Sequence, residues 1–153
     1  GAAFVTSGAS PDNYRVVQCA DGFTQGAFWS FLVPRDYVSD GTAVIVTPIW
    51  VPAATDATPH TVRWSVTVKE ITAGASPGGA GTTVTQTGSS AARTVGVAVV
   101  DSTIDTTLVP SAAGVLMRIG IRRIGADGAD TYVGNVNLVG LKITYPSADL
   151  PYN

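Results

Sequence analysis

With one cysteine, Cys19, this 153-residue chain cannot form an internal disulfide, so packing and hydrogen bonds must hold its fold. Charge is scarce as well: Asp, Glu, Lys and Arg make up 13% of the residues, where about a quarter is ordinary for a soluble domain. The exterior must be covered mainly by Ser, Thr, Gly, Ala and Asn, and such a surface points to protein neighbours. The formal net charge is only −2, and the nine basic residues form no run beyond Arg122-Arg123, which argues against nucleic acid and anionic membranes as partners. No stretch approaches the roughly eighteen consecutive apolar residues that span a bilayer. Helical periodicity is nearly absent, every window being interrupted by Gly, Pro or β-branched residues.

Chemistry-bearing residues are few. His60, in TDATPHT, is the only histidine, and with no second histidine and only a distant Cys19 it makes a poor metal ligand and reads as structural or exposed. No serine sits in a G-x-S-x-G elbow, so a hydrolytic triad is not expected. Asp127 with Asp130, and Asp101 with Asp105, lack the D-x-[DN]-x-[DN]-G spacing of a calcium loop, so turn formation by Asx side chains explains them better. No enzyme activity, cofactor or metal is expected.

What the chain does have is a ladder of short apolar segments at 27–33, 43–50, 62–68, 95–100, 115–121 and 136–145, separated by turns rich in Gly, Pro and Asp. This predicts an all-β fold, an antiparallel β-sandwich, with residues 1–20 as an N-terminal arm, 21–146 as one domain and 147–153 as a surface tail. The arm, beginning GAAFVTSGASPDNY, has no basic segment leading into an apolar run and does not read as a signal peptide. At this length one domain buries roughly two-thirds of its unfolded surface. In VRWSVTVK, Val62, Trp64, Val66 and Val68 share one face, leaving Arg63, Ser65, Thr67 and Lys69 on a wet or partner-facing side. Residues 27–33 are apolar on both faces, with Phe28 and Leu32 opposite Ala27, Trp29, Phe31 and Val33, which predicts cover by core on one side and by an arm, a loop or a neighbouring subunit on the other. Pro48 predicts an edge or a bulge, since proline donates no ladder hydrogen bond. Residues 72–92, uncharged and rich in Gly, Ser and Thr, read as a long loop or as a weak, irregular strand around 82–87.

Trp29, Trp50 and Trp64 read as core or semi-core side chains, a glycan platform being the alternative. Tyr37, Tyr132 and Tyr152, near turns or the terminus, read as interface residues. Arg118 and Arg122 share one strand face, with Arg123 opposite, at the end of the apolar set Val115, Met117, Ile119 and Ile121. The first two would be solvated in a free domain, or would pair with Asp127, Asp130 or a neighbour's carboxylates across a subunit seam.

The run FWSFLVPRDYVSDGTAVIVTPIW, followed by HTVRWSVTVKEITAG and by GVLMRIGIRRIGADGADTYVGNVNLVGLKITYP, resembles a group of small tailed-phage virion proteins. The resemblance covers most of residues 27–145 and rests on strand texture and marker residues: Trp29, Phe31, Pro34, Asp36, Tyr37, Trp64, Arg122, Asp127, Asp130 and Thr131. It implies a jelly-roll or related β-sandwich on the outer surface of a capsid, assembled in the host cytoplasm as a homotrimer. The implied role is a capsid decoration protein that binds and stabilises the lattice of the major capsid protein. The alternatives are a phage-fibre module binding a receptor or glycan through loop 72–92 and exposed tyrosines, and a cellular carbohydrate-binding sandwich. Candidate interface residues are Phe4, Tyr14, Phe28, Tyr37, Arg118, Arg122, Asp127, Asp130 and Tyr132.

Overall fold

The computed structural model describes residues 3–7 and 14–148 apart from 75 and 77; for residues 3–7, 14 and 15 the description is of the backbone. The described residues form twelve strands, all paired antiparallel: β1 Ala3–Ser7, β2 Tyr14–Cys19, β3 Thr24–Leu32, β4 Ile45–Pro52, β5 Asp56–His60, β6 Arg63–Ile71, β7 Thr82–Thr87, β8 Ala91–Arg93, β9 Val99–Val100, β10 Ile104–Asp105, β11 Leu116–Ile124 and β12 Val136–Thr144. One sheet runs β1-β2-β12-β4-β10, with β9 also on β4; a second runs β3-β11-β6-β7; β5 and β8 make a separate ribbon. The all-β expectation holds.

Period-two alternation decides which side chains enter the space between the sheets. From the second sheet come Trp64, Val66 and Val68 of β6, Ile119 and Ile121 of β11, and Ala27, Trp29 and Phe31 of β3. From the first sheet come Val17 and Cys19, Val46 and Trp50, and Val136 and Leu138. Trp50 and Trp64 are fully buried, so the two largest apolar side chains of the core face each other across the layers.

Several local expectations change. Residues 14–19 are a strand paired with β12 (Cys19 opposite Val136, Val17 opposite Leu138) rather than part of an arm, because Val16, Val17 and Cys19 supply buried apolar surface. Of the two expectations for Pro48 the edge does not hold, since β4 lies between β12 and the split pair β9 and β10, while the β12 register on β4 shifts between Leu138 and Gly140, next to the Leu141–Pro48 pair. The donor that Pro48 lacks falls where the neighbouring segment leaves the ladder, after Val100 pairs Ile49 and before Ile104 pairs Val46. Residues 82–87 are a full strand in register with β6 from Arg63–Thr87 to Val68–Thr82. Of 95–100 only 99–100 is strand, and Val95, Val97 and Val100 are exposed. Among the described residues no arm or loop covers the outward side of β3, where Phe28 is 50% and Leu32 64% exposed, which leaves a neighbouring subunit as the expected cover.

Candidate interface on the outer face of the second sheet

Strand β11 reads LMRIGIRRI, and alternation sends Met117, Ile119, Ile121 and Arg123 inward while Arg118, Gly120 and Arg122 face out. Gly120 stands opposite Phe28 of β3. The Phe28 ring occupies the space a side chain would take there, since a Cβ on Gly120 would lie 2.3 Å from Phe28 Cε1. A glycine within a strand commonly marks such an approach. The Arg118 and Arg122 guanidinium carbons each sit 5.3 Å from the centre of the same ring, within range of cation–π attraction. One exposed aromatic ring is thus flanked by two cations on the outer surface of the sheet.

Neighbouring outward positions extend the pattern. On β6 they are Arg63, Ser65, Thr67, Lys69 and Ile71, and on β7 Thr83, Thr85 and Thr87. Lys69 Nζ donates to Ser76 O at 2.6 Å and Arg118 Nη2 to Gly79 O at 3.2 Å, so the β6–β7 loop is tied to one corner of the face. Arg63 donates to Thr87 Oγ1 at 2.8 Å and Thr85 Oγ1 at 3.0 Å, and lies 3.7 Å from Asp127 Oδ2 in the turn beside the sheet. Four of the nine basic residues, Arg63, Lys69, Arg118 and Arg122, share this face, and no outward position of its four strands carries Asp or Glu. Beyond Phe28, Leu32, Leu116 and Ile71 stand in one cross-strand row and make an apolar end.

The other expected interface residues divide. Asp127 stays near the surface, accepting from Ala129 N at 2.8 Å as an Asx turn and facing Arg63. Asp130 does not: its side chain is fully buried and meets Arg123 in a two-point pair, Nε to Oδ2 at 2.9 Å and Nη2 to Oδ1 at 2.7 Å. Arg123 is also fully buried, and donates to the carbonyls of Tyr132 and Gly134. Alternation had placed Arg123 on the inward side, and its consequence is this internal ion pair in place of a seam between Asp130 and Arg118 or Arg122. Tyr132 is 1% exposed, packs edge-on against Trp50 and donates to Ala54 O at 3.1 Å; burial pushes its phenol up from the ordinary value. Tyr37 is 7% exposed and donates to Pro110 O at 2.9 Å. Both tyrosines serve the chain's own packing. The side chains of Phe4 and Tyr14, and Tyr152 altogether, lie outside the described residues.

Two polar constellations were not anticipated in this form. Asp101 is buried, accepts both indole N–H groups of Trp50 and Trp64 through Oδ2, and takes the backbone N–H groups of Ser89 and Ser102 at 2.6 and 2.8 Å through Oδ1. Sequence reading had paired it with Asp105, which instead accepts from Thr107 N at 2.9 Å as a turn residue. His60 Nδ1 lies 2.5 Å from Asp56 Oδ2, and this bond holds the Asp56 carboxyl below its ordinary range. The contact joins the two ends of β5, across the register shift between Asp56 and His60 in the β5–β8 ribbon. Among the described residues no group of three His, Cys, Asp or Glu side chains could hold a metal ion.

Comparison of this chain with family models, curated proteins and solved structures gives no significant match.

Proposed function

We propose that this protein is a structural virion protein, a decoration subunit on the outside of a phage capsid, folded as a jelly roll. The strand order supports the fold. Winding an antiparallel strip into two Greek keys lays alternate parts of the strip into two four-stranded sheets, and β2-β12-β4-β10 facing β3-β11-β6-β7 has that order. Viral capsid proteins and lectins use this architecture, so the fold alone leaves the role open.

The observation that carries the role is the outer face around Phe28. A large, half-exposed aromatic ring with arginines on both sides, next to exposed Leu32, has the composition of an interface centre, where aromatic residues and Arg are enriched. The fibre reading relied on loop 72–92 and exposed tyrosines, and the burial of Tyr37 and Tyr132 removes part of that support. The function is mechanical: each bound subunit bridges neighbouring major capsid proteins and raises the free energy of separating them, because it binds the assembled lattice and not its dissociated parts. A homotrimer would multiply modest contacts through effective concentration.

The test is co-sedimentation with capsids of the encoding phage assembled without this protein. Saturable binding that raises the capsid's heat resistance, weakened by Phe28→Ser, supports the reading. Absence of binding by a folded protein overturns it.

A further inference from the structure

We propose that the outer face of the β3-β11-β6-β7 sheet is a docking site for an extended acidic segment of a partner protein, one that carries carboxylates over Phe28 and an apolar side chain near Leu32. The inference deepens the decoration reading and rests on it for the partner being a protein of the capsid.

Charge complementarity specifies the first half of the occupant. This chain has more acidic than basic residues, yet one sheet face gathers Arg63, Lys69, Arg118 and Arg122 with no carboxylate at an outward strand position, Asp127 in the adjoining turn facing Arg63 at 3.7 Å. Like charges held together repel, and an anionic partner relieves that cost. Arg122 is exposed, its guanidinium carbon lies 5.3 Å from the centre of the Phe28 ring, and it is matched by no carboxylate among the described residues. Cation–π attraction to a ring leaves guanidinium N–H groups available, and a guanidinium takes a carboxylate through two parallel hydrogen bonds.

The apolar end specifies the second half. Phe28 and Leu32 lie four residues apart on one face of β3, about 13 Å at the rise of an extended strand. An extended peptide laid along the strand therefore matches both points when an acidic residue and an apolar residue are separated by about four positions. A nucleic acid or an acidic polysaccharide would satisfy the cations but has nothing to offer the row Leu32, Leu116 and Ile71, and a single exposed ring is a short stacking track for bases.

The probe is an array of immobilised ten-residue peptides in which the number of glutamates and the spacing from glutamate to leucine are varied, with sulfated dextran and single-stranded DNA as polyanion controls. The best peptide is then measured by fluorescence anisotropy. The expected result is binding that needs both glutamate and leucine, is strongest at a separation of about four residues, and weakens about fivefold or more in Arg122→Gln and in Leu32→Ser. Lys142→Gln, on the other sheet, should leave it unchanged. All three positions are surface sites, and an unchanged tryptophan fluorescence spectrum certifies each fold.

No binding anywhere on the array overturns the proposal, as does a polyanion that binds as tightly as the peptide and ignores Leu32→Ser. Loss of peptide binding with capsid co-sedimentation intact refutes the chemistry assigned to the face and spares the decoration role. Peptide binding without capsid binding does the reverse.

Discussion

Trp50 and Trp64 belong to opposite sheets, their ring centroids are 6.5 Å apart, and both indole N–H groups donate to one carboxylate oxygen, Asp101 Oδ2, at 3.0 and 2.8 Å. Two bulky core residues are thereby oriented by a single buried acceptor. A carboxylate suits this position because every group facing it is a donor, including the backbone N–H groups of Ser89 and Ser102.

Asp101→Asn should therefore cost about 3 kcal/mol, because an amide NH2 must face one set of buried donors and leave them unsatisfied. Asp101→Ala, which frees all of them, should cost more. Urea unfolding followed by tryptophan fluorescence measures both; a midpoint for Asp101→Asn equal to wild type would mean that water or a shifted side chain replaces the carboxylate.

Arg123 and Asp130 form the second internal pair; removing Arg123 strands the buried Asp130 carboxylate, and removing Asp130 leaves buried Arg123 only the half-exposed Asp21 carboxylate at 3.3 Å. Arg123→Met alone, or Asp130→Leu alone, should lose about 3 to 5 kcal/mol. The double variant should lose clearly less than the sum, since no unpaired charge remains. Additive losses would show that the two residues act independently despite their contact.

Two outward glycines on paired strands should behave differently. A Cβ on Gly26 would lie 1.8 Å from the Ile121 backbone oxygen, so Gly26→Ala must part the β3–β11 ladder and should cost about 2 kcal/mol or more. On Gly120 the obstructing group is the Phe28 ring, which can swing away into solvent. Gly120→Ala should cost under about 1 kcal/mol while displacing the ring from its place between Arg118 and Arg122. Thermal melts of the two variants separate these outcomes, and similar melting temperatures would contradict them.

Burial pushes the Cys19 thiol up from 9.0 to about 11, with Arg123 opposing the shift in part. The native state therefore holds its thiol proton where the unfolded chain releases it. Stability should be unaffected by this group below pH 9 and should fall between pH 9 and about 11, at up to about 1.4 kcal/mol per pH unit. Cys19→Ala should flatten that alkaline decline, and the native thiol should resist iodoacetamide at pH 8 until urea unfolds the protein. Fast native labelling at pH 8 would contradict the burial.

The amino-acid pattern by itself determined the all-β class and the face each residue takes on the long strands. Alternation in 62–69 and 115–123 is a local property of an extended chain, and it sent Trp64, Val66 and Val68 inward and Arg118 and Arg122 outward without reference to any neighbour. The same alternation put Arg123 on the inner side, although charge alone suggested a surface position. Boundaries were less legible. Strand β2 looked like an arm because its pairing partner, β12, lies more than a hundred residues away. Strand β7 looked weak because its threonine-rich sequence becomes regular through register with β6.

Only the tertiary structure decided which polar residues meet. Asp101 joins Trp50 and Trp64 across 51 and 37 positions of sequence, and Phe28 reaches the arginines by cross-strand register with Gly120. Tyr37, Asp130 and Tyr132 share the composition of interface residues, yet they are buried in the chain's own packing. Such contacts depend on how two sheets stack and on which strands become neighbours. Both are set by minimising exposed apolar surface over the whole chain, a sum that no local spacing contains.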